Sequence, residues 1–161
     1  MLLSVVVLIV SLGLFLFYLH ESCERCEKIL RHEFDAEFFH AVVNANRLEF
    51  PFVRKAVEEF DVPVDYLRFR MQLFCDFLAL IFLLKNACNP GRRLSNDERL
   101  LWIYFLVLFL GFIIVHTLRF NQRAVVLKLT AILQYFANVV GERLNTVRLG
   151  DMTGSDYLMR L

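Results

Sequence analysis

Residues 65–86, "DYLRFRMQLFCDFLALIFLLKN", decide what kind of protein this is. The apolar core, 71–84, is short for a membrane span and contains Gln72 and Asp76. Flanking signals lengthen it. Pro63 and Asp65 read as a turn and an N-cap, and Asn89-Pro90-Gly91 is a strong stop. A helix over 66–86 would be about 31 Å long, enough for a hydrocarbon core of roughly 30 Å.

Two neighbouring stretches make the same demand more plainly. Residues 2–19 are interrupted only by Ser4, Ser11 and Gly13, and residues 100–118 carry no charge, meeting His116 and Thr117 near their end. Over all 161 residues, 58% are hydrophobic, 17 are phenylalanine and mean hydropathy is +0.52, above what a water-soluble domain of this size carries. The formal net charge of +1, from 18 basic and 17 acidic residues, gives no field to recruit nucleic acid.

The expected fold is therefore an all-α integral membrane protein with three spans. Between the second and third, "NPGRRLSNDER" gives a tight turn, and Ser95 followed by Glu98 forms a capping box. Residues 65–120 should thus be an antiparallel transmembrane hairpin. Residues 1–19 form the first span, and 20–64 a juxtamembrane amphipathic segment outside the hydrocarbon, with helical periodicity over 21–43 that weakens at Asn44-Ala45-Asn46. Residues 121–149 form a C-terminal amphipathic helix, with apolar side chains at 125, 129, 132, 136, 140, 144 and 147, and 150–161 a loop-like tail. Lys128, Gln134 and Asn138 interrupt the centre of that helix, so it is read as lying on the membrane or on a partner in preference to a fourth span.

Cys23 and Cys26 form a Cys-x-x-Cys, half of a zinc site. On one helix Cys23 shares a stripe with Leu30, Phe34 and Ala41, His32 points away, and only His20 lies close. The pair therefore reads as small apolar thiols at a docking face formed with Leu30 and Phe34, not as a metal ligand or redox pair. Cys75 and Cys88, thirteen residues apart on one helix, read as free thiols. No metal or other cofactor is expected.

Arg68, Gln72 and Asp76 follow at intervals of four and form one stripe from interface to mid-membrane. A charged Asp near the bilayer centre costs about 2.5 to 3.5 kcal/mol on insertion scales, so this stripe should face protein or water. The favoured reading has Asp76 hydrogen-bonded across a helix interface; the alternative makes it a proton or ion relay. His116 reads as an interfacial histidine, since a haem would need a second axial ligand.

Basic residues after the first span, before the second and after the third outnumber those at the hairpin turn, which places the N-terminus and the turn outside, and residues 20–60 with the C-terminal helix inside. No Gly-rich phosphate loop, nucleophile with base and orienter, or carboxylate cluster occurs, so an enzyme is not expected. The expected function is a non-catalytic accessory subunit of a multisubunit membrane complex, partnered by other membrane subunits and by lipids at its basic helix ends. The mitochondrial inner membrane, with a respiratory-chain or ATP-synthase complex, is the expected setting: no Arg-rich transit segment precedes the first span, and no Asn-x-Ser/Thr acceptor occurs. The endoplasmic reticulum or plasma membrane is the alternative location. The alternative function is an oligomeric channel or proton-conducting subunit built around Asp76.

Overall fold

The computed structural model describes residues 2–31, 34, 38–59, 66–86, 94–117 and 122–151. Among them every regular element is a helix: α1 (Leu2–Leu30), α2 (Phe39–Asn46), α3 (Phe50–Glu59), α4 (Tyr66–Asn86), α5 (Asn96–Thr117) and α6 (Arg123–Asp151). The all-α class is as expected. The turns expected at Pro63-Asp65 and at Asn89-Pro90-Gly91, Cys88, His32 and the tail from 152 lie outside the described residues.

The hairpin forms. Phe77 stacks on Phe105 with ring centroids 3.9 Å apart, and Phe74 stacks on Phe109 at 5.2 Å, so α4 and α5 run antiparallel. The capping box also forms: Ser95 N donates to Glu98 Oε2 at 3.0 Å, and Glu98 N donates to Ser95 Oγ at 3.2 Å.

The long last helix is the main departure from expectation. α6 is the central helix, packed against all five others. Val126, Leu129, Ile132, Leu133, Phe136 and Ala137 are fully buried. It runs parallel to α4, with Phe136 6.3 Å from Phe77 and Arg143 Nη1 donating to Leu84 O at 3.4 Å. Its later turns therefore arrive beside the end of α4 and the start of α5. The three polar side chains that argued against burial are all used inside the chain: Lys128 pairs with Glu27 at 2.8 Å, Gln134 accepts from Arg54 Nη1 at 2.6 Å, and Asn138 Oδ1 accepts from Phe39 N at 2.9 Å.

Among the described residues, one stretch is long and apolar enough to cross a membrane, Arg123–Asn145 in α6, with mean hydropathy 1.5 and 61% of it buried within the protein. A shorter apolar run is Val5–Leu14. By this measure the described residues carry one candidate span and not three. Because α6 is the core helix, its apolarity is already used by its own neighbours.

The first span and the juxtamembrane segment are not separated by a break. α1 continues through residue 20 to Leu30, about 43 Å in all. Its later half packs on α5 and α6 through Cys23, Cys26, Ile29 and Leu30. Its earlier half is uncovered, with Val5 to Val10, Leu12 and Leu14 between 52% and 66% exposed. The helix expected to continue to 43 stops at Leu30 and restarts at Phe39, whose backbone N–H is taken by Asn138. Arg47 then turns the chain in a left-handed conformation, φ 53°, with its N–H returned to Val43 O. Residues 39–54 lie alongside α6 and α4 level with their middles, while Glu58, near the end of α3, meets Arg123 at the start of α6.

Candidate functional site

α3 begins at Phe50, and the carboxylate of Glu49 before it is engaged by Gln72. The acceptor that caps it comes from α4. Asp76 Oδ2 accepts the backbone N–H of Glu49 at 2.8 Å and of Phe50 at 2.6 Å. One buried carboxylate thus caps a helix twenty-six residues upstream. The helix N-terminus also favours the negative charge.

The stripe of Arg68, Gln72 and Asp76 is graded along α4: Arg68 is exposed, Gln72 half-buried and Asp76 buried. Gln72 Nε2 donates to Glu49 Oε2, so two of the three face the same α2–α3 connection. What covers the stripe is the chain's own α3. Gln72 Oε1 is buried and has no hydrogen-bond partner among the described residues.

A second polar anchor ties the hairpin to α6. Glu98, already in the capping box, also accepts from Arg143 Nη2, and both side chains are largely buried. Arg143 Nη1 meanwhile reaches Leu84 O near the end of α4, where carbonyls lack helical partners. Sequence reasoning found Glu98 but not its second role. No local signal pointed to it: Arg143 stands between Glu142 and Leu144 and is one of three arginines in the last helix.

At the expected docking face, Cys26 is the most buried member, while Cys23, Leu30 and Phe34 are partly buried against the core. Phe34 meets Tyr135 edge-on at 5.4 Å. Ala41 falls on α2, a different helix. Burial, with smaller contributions from Cys23 and Glu27, raises the Cys26 thiol to about 11, which suits packing and not thiolate chemistry. Nearby, the bond from Lys128 holds the Glu27 carboxyl below its usual range. Among the described residues no group of three or more His, Cys, Asp or Glu side chains converges on a metal-sized centre. His116 Nδ1 lies 3.0 Å from Gln122 Nε2, across the α5–α6 connection.

The outer face of the hairpin is distinctive. Between Met71 and Phe82 the exposed residues of α4 are Met71, Cys75, Leu78 and Phe82; on α5 they are Trp102, Ile103, Val107, Leu110 and Ile114 over 102–114. Arg68 and Arg70 border this apolar band at one end, Lys85 and Arg99 at the other. Arg70 and Lys85 are about 22 Å apart along the axis. Comparison with protein-family descriptions, with curated proteins and with solved structures finds no match to this chain.

Proposed function

We propose that this protein is a non-catalytic accessory subunit of a multisubunit membrane assembly, with the α4–α5 hairpin facing lipid. The observation that carries the reading is the apolar band between two pairs of cations. A band of about 22 Å whose basic side chains can extend toward headgroups suits a bilayer interior. α5 is apolar on every side, which fits a helix with core on one face and lipid on the other. The uncovered half of α1 adds apolar surface that water solvates poorly. The three spans expected from sequence belong to this proposal, with α6 added as a helix of spanning length. The mitochondrial inner membrane, and a respiratory-chain or ATP-synthase setting within it, also belong to it, resting on the sequence argument alone.

Subcellular membranes washed at alkaline pH should retain the protein, and native mass spectrometry of the mildly solubilised particle should show one copy among unlike chains. Leu78→Glu adds a test of the band. Facing lipid, it should impair membrane insertion by about 2.5 to 3.5 kcal/mol; on a water-exposed surface it would raise solubility and leave the fold alone, which would defeat the proposal. The conduction reading is the weaker one because Asp76 already has a structural use, capping α3 through two backbone hydrogen bonds.

A further inference from the structure

We infer that the cavity between α1, α5 and α6 is a binding site for one anionic glycerophospholipid, with its phosphodiester held by Lys128 and Arg31 and an acyl chain laid along Ala131 and Tyr104. This rests on the membrane reading above and adds to it a ligand class and a site. The cavity is open-sided, about 310 Å³ in volume, and lined by the last turns of α1, by Tyr104 of α5 and by the early turns of α6. Leu30, Leu127 and Ala131 on its walls are half-buried and Tyr104 is buried, while Arg31 and Lys128 are exposed. It is therefore apolar within and cationic at its mouth.

Depth supports a lipid. α6 runs parallel to α4, and Phe136 lies against Phe77. Eight residues earlier on each helix stand Lys128 and Phe69, so Lys128 is level with Arg68 and Arg70, the cations at one border of the apolar band. On the membrane reading that border is headgroup depth. The walls lead inward from it: Ala131 is nearly a turn deeper than Lys128, and Tyr104 adjoins Phe105, which stacks on Phe77 inside the band. A lipid seated here keeps its phosphate among headgroups and its chain in hydrocarbon.

Charge selects the headgroup. Arg31 and Lys128 against Glu27 leave the mouth one net positive charge, which a phosphodiester with an uncharged head neutralises and a zwitterionic choline lipid does not. Lys128 meets Glu27 at 2.8 Å, but their side chains are 49% and 45% exposed, and a pair so open to solvent holds its members weakly. The ammonium has three donors to share, and the Tyr104 hydroxyl stands beside it as a neutral one. Size sets other occupants aside. One turn of a helix about 10 Å across fills on the order of 400 Å³, so neither an unlike subunit nor a second copy can seat a helix in this cavity. Water would find few partners along its apolar walls.

The test mixes the full chain, purified in mild detergent, with equimolar phosphatidylglycerol and phosphatidylcholine carrying the same oleoyl chains, and reads the retained lipid by native mass spectrometry. One phosphatidylglycerol per chain should be retained, preferred over phosphatidylcholine by about fivefold or more. Lys128→Gln should lower that preference by about fivefold, and Glu27→Gln should raise it by a similar factor, the effect of one charge beside a phosphate. Both variants break the same ion pair, so a pair with a structural role alone would shift both in the same direction, which would overturn the inference. Equal retention of the two lipids would also overturn it. So would displacement of the lipid by millimolar inorganic phosphate, the mark of a site for the free ion. A chain that stays in alkaline-washed membranes yet shows no preference defeats this inference alone; one lost from those membranes defeats the membrane reading with it.

Discussion

Asp76 shows how a single side chain changes meaning once its partners are known. At the sequence level a carboxylate amid apolar residues reads as either a relay or an interhelical bond; the structure makes it the cap of α3. Asp76→Leu should leave two backbone N–H groups at the start of α3 without an acceptor and cost about 2 to 4 kcal/mol. Asp76→Asn keeps an acceptor oxygen and should cost about 1 kcal/mol. Denaturant unfolding in detergent orders the variants, and a transport assay on the host complex with Asp76→Asn checks that flux is retained. Gly141 gives a second residue-scale test. A Cβ there would fall 2.2 Å from the Cβ of Phe38, so Gly141→Ala must move the entry to α2 and should destabilise by about 1 to 3 kcal/mol despite alanine's better helix propensity. Gly111→Ala, with open space around it, should be neutral or stabilising by up to about 1 kcal/mol. Cys26, with its thiol raised to about 11, should resist N-ethylmaleimide at pH 7.5 and react once the chain is denatured. Chelators should leave stability unchanged. Cys26→Ser, which sequence alone would rate neutral, buries a hydroxyl at a site 1% exposed and should cost about 1 to 2 kcal/mol.

Elements were legible where local chemistry sets them, and illegible where a distant residue does. α4, α5 and their capping box follow from Ser95, Glu98 and two apolar runs, all within their own sequence. The break between Leu30 and Phe39 does not, because the group that starts α2 is Asn138, ninety-nine residues away. The same distance hid the role of α6. Lys128, Gln134 and Asn138 looked like solvent-facing interruptions because each one's partner, on α1, α3 or α2, cannot be read from periodicity. The Glu98–Arg143 pair that fastens α6 to the hairpin makes an element-scale prediction. Arg143→Met strands a buried carboxylate and should cost about 3 to 5 kcal/mol, while Glu98→Leu with Arg143→Met should recover most of that loss. A double-mutant cycle by thermal or denaturant unfolding measures the difference.

For the whole molecule, the parallel course of α4 and α6 implies, on the proposed membrane reading, a topology different from the one that charge counting gives. Charge counting puts residues 124–147 on the side of residues 20–60, but α6 travels the length of the hairpin and ends beside its turn. In sealed vesicles, single cysteines at Asn86 and Glu142 should therefore be labelled from the same side, and cysteines at Glu58 and Arg123 from the other, since Arg123 Nη2 bonds to Glu58 O at 3.1 Å. Labelling of Glu142 together with Glu58 would show that α6 does not cross with α4. The placement of α6 also has a temporal side. It is the last of the described helices to leave the ribosome, yet α1 through α5 all pack on it. Until it emerges, Asn138 cannot start α2, Arg143 cannot neutralise Glu98, and the inner faces of the hairpin lack their wedge. Completion of the packed core therefore waits until α6 has been synthesised. A product ending before residue 123 would lack α6 and leave uncovered the faces of α1 to α5 that pack on it.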